Sequence, residues 1–248
     1  MKTAIFAHRG ASGYSPENTM PAFQLAYEMG TDGIETDVQL TKDGIPVLIH
    51  DEQVKRTTNG RGYIKDLTFE EVKRLDAGSW FSSRFTGASI PSLEEFLEWI
   101  EDKPLYLNIE LKNNKIEYSN LEAIVYDMVL RYGLQQHCTL STFNPESIKK
   151  IKKIGTSISA ALLTSKAEVN PVTFAGNLGA DAIHIKYRLF DESVVKEGKT
   201  KGMPVRVYTV NKSAHILRCL KLQADGIFTD LPDKAIEQRQ SFYNNNGN

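Results

Sequence analysis

Cysteine is scarce. Cys138 and Cys219 are the only two in 248 residues, and they lie far apart with no Cys-x-x-Cys spacing. A chain this long needs no disulfide staple, so buried thiols in a reducing compartment are expected. Charge of one sign is also lacking: the formal net charge is −1, and nothing suggests electrostatic attraction to nucleic acid. No apolar run approaches a membrane span, and the apolar part of "MKTAIFAHRG" is too short for the core of a signal peptide. The expected location is the cytoplasm, with neither nucleic acid nor membrane as partner.

What is present is an ordinary globular composition, 41% hydrophobic and 25% charged, sufficient for one large core. Nine strand-like runs occur: "AIFAHR", "GIETDV", "PVLIHD", "LYLNIEL", "CTLSTF", "SISAALL", "AIHIK", "VRVYTV" and "GIFTD". Helical stretches separate most of them. In "PSLEEFLEWI", Ser92 and Glu95 stand at capping-box spacing, with Leu93, Phe96, Leu97 and Ile100 on one face. "SNLEAIVYDMVLRYG" stops at Gly133, and "NPESIKKIKKIG" opens with Asn144 as cap and Pro145 in the first turn.

This alternation predicts an α/β fold, a closed (β/α)8 TIM barrel spanning residues 1–240. A doubly wound sheet fits less well. No Gly-x-Gly-x-x-Gly follows the first strand, and polar residues end many different strands, which only a barrel gathers on one face. Nine runs exceed eight staves, and "ETDVQLTKDGIPVLIHD" reads as a hairpin about Asp43-Gly44. A turn centred there sets Asp37 opposite His50; a longer excursion is the alternative, and both bring His50 near Asp37. Residues 51–91 are read as a small insertion over the barrel mouth after the third strand, and 241–248 as a disordered tail.

The chemistry concentrates at strand ends. Glu35 and Asp37, two apart on a strand, share one face, and Glu110 and Lys112 repeat the spacing on a later strand. An E-x-D pair alone carries little. Beside two strand-end histidines, the three carboxylates read as ligands for a hard divalent ion, Mg²⁺ or Ca²⁺. His8 and His50 each close an apolar run and suit an acid–base pair. Arg9 disfavours protonation of the adjacent His8, a poor arrangement unless both serve a common anion. Ion, Arg9 and Lys112 together suit a phosphoryl group.

The motifs "HRG", "PENT", "ETDVQLTKDGIPVLIHD", "RTT", "IPSLEE", "IELK", "VYTVN" and "DGIFTDLP" occur in this order between Ala7 and Pro232. In this the chain resembles the glycerophosphodiester phosphodiesterase family, looking like a short cytoplasmic-type bacterial member. The resemblance implies a barrel of the phospholipase-C-like phosphodiesterase type. It implies divalent-metal-dependent hydrolysis of small glycerophosphodiesters to glycerol 3-phosphate and an alcohol such as choline, ethanolamine or glycerol, within lipid and glycerol metabolism. Carried over, Glu35, Asp37 and Glu110 would hold the metal, His8 and His50 would move protons, and Arg9 and Lys112 would contact the phosphate. Glu17 and Asn18 would shape the first loop. Tyr208 stands where family members often carry Trp, beside the alcohol pocket.

Trp80 and Phe81 either line the mouth or bury the insertion. Tyr187 and Phe190, just past a strand, are candidates for an apolar wall beside glycerol. His137, His184 and His215 are expected to be structural, and Lys149, Lys150, Lys152 and Lys153 to form a solvated helix face. Two other functions compete: a lysophospholipase-D-like or phosphoinositide phosphodiesterase acting on lipids, and a barrel that binds a phosphodiester or metal without turnover. The first wants an exposed apolar rim. The second would be expected to have lost a histidine or a carboxylate, and this chain keeps them all.

Overall fold

In the computed structural model, residues 2–167 and 170–246 are described. Nine strands form among these residues: β1 (Ala4–His8), β2 (Gly33–Leu40), β3 (Pro46–Leu48), β4 (Tyr106–Leu111), β5 (Cys138–Thr142), β6 (Ser159–Thr164), β7 (Ala182–Lys186), β8 (Val205–Tyr208) and β9 (Gly226–Thr229). All but β3 pair in parallel, and the β1–β2 pairing closes the ring into an eight-stave barrel. β3 pairs antiparallel with β2 and stands outside the ring. Between and after the staves run α1 (Met20–Glu28), α2 (Phe69–Lys73), α3 (Leu93–Ile100), α4 (Leu121–Arg131), α5 (Pro145–Ile154), α6 (Pro171–Asn177), α7 (Glu192–Lys201), α8 (Ser213–Lys221) and α9 (Pro232–Asn246).

The staves follow a period of two. Ile5, Ile34, Ile109, Ile183, Val207 and Ile227 belong to the main core shared with the helices. Their strand neighbours Phe6, Glu35, Glu110, His184, Tyr208 and Phe228 fall on the opposite face, which in a barrel is the interior. Phe6 is 1% exposed and packs on Phe228 at 5.2 Å between ring centroids. Truncating such a ring costs about 3–5 kcal/mol. The lower barrel is thus solid, and polar side chains collect above it at the carboxyl ends of the staves.

Helix starts behave as their caps predict. The Ser92 hydroxyl accepts from Glu95 N at 3.1 Å while Glu95 accepts from Ser92 N at 2.7 Å, and Asn144 accepts from Glu146 N at 3.0 Å. α9 runs on to Asn246, so most of the tail expected to lack structure is helical; Gly247 and Asn248 lie outside the described residues. Apolar anchoring explains this: Phe242 and Tyr243 pack against the main core.

The β2–β3 hairpin corrects the expected register by one residue. Thr41 and Ile45 close a three-residue loop, with Gly44 at φ +79° supplying the left-handed turn. Val38 therefore faces Leu48, and Ile49 N donates to Asp37 O at 3.1 Å; His50 is not opposite Asp37. From residues 51–91, Val54, Ile64, Val72, Ala77 and Ile90 join Val47 and Ile49 in a separate apolar cluster. No helix among the described residues is long and apolar enough to cross a membrane.

Candidate active site

The chain turns sharply after β1. Arg9 (φ +57°) and Gly10 (φ +79°) are both left-handed, and a Cβ on Gly10 would sit 2.6 Å from the Ala22 carbonyl carbon. The turn aims Arg9 N at Glu35, 2.9 Å from Oε2. The Arg9 side chain donates to Glu17 Oε1 at 2.8 Å and places Nε 3.1 Å from Asp37 Oδ2. Asn18, also left-handed, donates from Nδ2 to Asp37 Oδ2 at 2.9 Å and accepts from Thr36 Oγ1 at 2.8 Å. Glu17 and Asn18 thus hold Arg9 and Asp37 in place.

Glu35, Asp37 and Glu110 each offer one oxygen, all within 4.8 Å of one another, and all three residues are buried. Lys112 Nζ lies 2.7 Å from Glu110 Oε1 and 3.6 Å from Asp37 Oδ1. Burial and the Asp37 charge push the Glu35 carboxyl up to about 8, so without an added cation it holds a proton at neutral pH. Burial pushes Asp37 the same way, but Arg9, Lys112 and His50 hold it well below the usual carboxylate range. Asp37 Oδ1 is buried with no hydrogen-bond partner among the described residues. An oxygen-only donor set, an orphaned carboxylate oxygen and excess buried acid fit a divalent cation.

Each histidine is oriented by a carboxylate. His8 Nδ1 meets Asp230 Oδ1 at 2.7 Å, and Asp230 also accepts from Ser12 Oγ at 3.0 Å and Asn211 Nδ2 at 2.5 Å. Burial and Arg9 push His8 toward neutrality, yet Glu35 and Asp230 outweigh them and its pKa is raised. His50 Nδ1 meets Asp51 Oδ1 at 2.7 Å, and Arg56 Nε donates to Asp51 Oδ2 at 2.6 Å. Burial pushes Asp51 up, but its bonds to Arg56 and His50 hold it down at about 2. The His50 backbone is fixed by Gln39, whose Nε2 donates to the carbonyls of Ile49, His50 and Asp51 at 3.0, 3.1 and 2.8 Å. With Nδ1 occupied in both rings, Nε2 is the atom left for chemistry.

His8, Arg9, Glu35, His50 and Glu110 line one cavity of about 320 Å³. Asn108, Ser141 and His184 line it too, as do Phe143, Lys186 and Phe228. Tyr208 lines it as well, its hydroxyl donating to Thr164 O at 2.7 Å and its ring edge-on to Phe143. Four expected pocket residues are absent from the described lining. Trp80 and Phe81 pack edge-to-face on each other, and Phe81 on Phe85. Tyr187 stacks on His215 at 3.8 Å, and Phe190 is 1% exposed in the main core. Their chain position past a strand end did not determine where their rings turned. Asp230, Gln39, Asn108, Ser141 and Phe143 are not singled out by the sequence, whereas His184 and Lys186, alternating on one strand with a face toward the barrel, are within reach of the site but expected to be structural. Alternation on β4 and β7 was the available signal for Asn108, His184 and Lys186.

Comparison with known proteins agrees with this geometry. The sequence profile of the Glycerophosphoryl diester phosphodiesterase family matches residues 8–234. A glycerophosphodiester phosphodiesterase of Caldanaerobacter subterraneus subsp. tengcongensis is 41% identical over 236 residues, 95% of this chain and 97% of the relative. Another from Bacillus altitudinis is 40% identical over 241 residues, 96% and 98% of the two chains. An Oleispira antarctica phosphodiesterase, solved with the product sn-glycerol-3-phosphate, superposes with a TM-score of 0.86 at 31% identity, covering 96% of this chain and 97% of that one. The barrel closed by β1 and β2, the cavity at its carboxyl face and these matches lead to one conclusion: this chain belongs to the glycerophosphoryl diester phosphodiesterase family.

Proposed function

We propose that the cavity hydrolyses glycerophosphodiesters to glycerol 3-phosphate and an alcohol. The observation that carries this reading is the meeting, at one cavity, of two carboxylate-anchored imidazoles with Glu35 and Glu110, whose oxygens cluster with one of Asp37. The product bound by the Oleispira relative supports the substrate class.

Glu35, Asp37 and Glu110 would hold Mg²⁺ or Ca²⁺, which when bound supplies positive charge beside the phosphoryl oxygens. Arg9 and Lys112 add two fixed cations at the same place. His50 removes the proton from the glycerol hydroxyl next to the ester. That oxygen attacks phosphorus in line with the leaving alcohol, and His8 protonates the departing oxygen. The five-membered cyclic phosphate is then opened by water, with His8 now taking a proton and His50 returning one to the glycerol oxygen. Pre-positioning an internal nucleophile can lower a barrier by roughly 7–11 kcal/mol.

The raised pKa of His8 supports its role as the acid. Free, buried cysteines support a cytoplasmic setting.

The test is release of glycerol 3-phosphate from glycerophosphocholine and glycerophosphoethanolamine, followed by phosphorus NMR with and without EDTA. Turnover abolished by EDTA and restored by Mg²⁺ or Ca²⁺ is expected, with a transient cyclic phosphate. Turnover indifferent to EDTA removes the metal from the reading, and no turnover of either diester overturns it.

A further inference from the structure

We infer that His184 and Asn108 form a hydroxyl-binding floor of the cavity that selects the glycerol arm by its terminal hydroxyl, an assignment that rests on the proposed activity. The starting point is polarity where a barrel interior should be apolar. Both residues line the cavity, yet His184 is 0% and Asn108 2% exposed. His184 Nδ1 and Asn108 Oδ1 are buried with no hydrogen-bond partner among the described residues. Leaving such buried groups unpaired is costly, and a ligand that pairs them recovers that cost.

The donor character of His184 is fixed from below. Arg206 Nη1 lies 3.4 Å from His184 Nε2 and 3.2 Å from Thr139 Oγ1, and its guanidinium sits over the Phe6 ring. A guanidinium has no acceptor, so Nε2 must accept and Nδ1 must carry the hydrogen. Burial and the Arg206 charge also keep the imidazole neutral, well below its ordinary range. The floor therefore presents an N–H donor from His184. Asn108 Nδ2 is used by Ser141 Oγ at 2.9 Å, which leaves its carbonyl as an acceptor. If the amide is turned over, the leftover atom is a donor instead, and a hydroxyl satisfies either.

Depth sets which hydroxyl is meant. Asn108 precedes Glu110 by two residues on β4, and His184 precedes Lys186 by two on β7. At about 3.3 Å per residue, the floor lies roughly 6–7 Å deeper along the strands than the chemistry, the reach of a three-carbon arm. The hydroxyl adjacent to the ester is engaged as nucleophile. The terminal one remains for the floor, while the leaving alcohol points to the mouth.

The experiment compares glycerophosphoethanolamine with its analogue built on propane-1,2-diol, which lacks only the terminal hydroxyl and keeps the nucleophile and leaving group. The wild-type enzyme should favour the full diester by at least about 30-fold in kcat/KM, mostly through KM. Asn108→Leu and His184→Phe should narrow the preference to under about 5-fold, while His184→Gln, which retains a donor, should keep most of it. Wild-type turnover of the two diesters within about 3-fold overturns the floor assignment alone and needs no variant. Variants that lose activity equally on both substrates overturn it in favour of a purely structural role. A crystal structure with glycerol 3-phosphate showing only water at His184 Nδ1 and Asn108 also overturns it. Absence of turnover on both diesters overturns the parent activity and the floor with it.

Discussion

His8 and Asp230 stand 222 residues apart in sequence and meet at 2.7 Å, one closing the first stave and the other following the last. The closure of the barrel thereby also sets the ring of the proposed acid. Replacing Asp230 by Asn removes an anion that sustains the raised pKa of His8. The acid form is then lost at a lower pH. The alkaline limb of the kcat–pH profile should move to lower pH, and kcat should fall about 100-fold. A limb that stays in place would detach Asp230 from the acid.

The two histidines separate by leaving group. His8→Ala and His50→Ala should each lower kcat on glycerophosphocholine at least ~100-fold while metal affinity is kept. In the first turnover of a p-nitrophenyl diester of glycerol, whose departing oxygen needs no proton, His8→Ala should release p-nitrophenolate nearly as fast as the unaltered protein and His50→Ala should not. The opposite rescue pattern would exchange the roles, and full kcat in His50→Ala would end the acid–base assignment.

Metal binding should expel a proton. Glu35 in the metal-free protein titrates near 8, so at lower pH an incoming cation must displace its proton. Affinity should climb about tenfold per pH unit toward 8 and level off above it. The metal-free fold carries the reverse dependence: unfolded Glu35 ionises sooner, so stability falls as pH rises from the ordinary carboxylate range to about 8. Calorimetry in buffers of differing ionisation enthalpy measures the released proton. PH-independent affinity would place the cation elsewhere.

The carboxyl-terminal helix is tied to the first stave by Arg239, which pairs with Asp32 and donates to Thr3 O at 3.0 Å, while Asp32 accepts from Ile5 N at 2.7 Å. Arg239→Ala should destabilise the protein by about 1–3 kcal/mol, a drop of roughly 2–10 °C in Tm. Its kcat should be unchanged, since Arg239 lies outside the described cavity lining. Equal Tm values would mean that α9 docks through Phe242 and Tyr243 without it.

The staves and their order were legible because each apolar run is short and bounded, and the helices because Ser92, Glu95 and Asn144 cap them by local chemistry. The triad was legible because Glu35 and Asp37 share a strand face. Asp230 was not, although it lies within a recognised motif: a contact across the whole chain leaves no local trace. The hairpin register slipped because Asp43-Gly44 allows both a two- and a three-residue loop, and only the fold chooses. Aromatic positions were the weakest inference. Phe190 follows a strand just as Phe143 does, yet one ring is buried in the main core and the other lines the cavity.

One consequence follows from β3 standing outside the ring. The proposed base comes from a side excursion with its own apolar nucleus, whereas the acid and the cation ligands are built into the cylinder. The two halves of the proton traffic can therefore diverge at different rates: changes within 46–91 can re-aim His50 without disturbing closure, while any shift of His8 must be tolerated by every neighbouring stave.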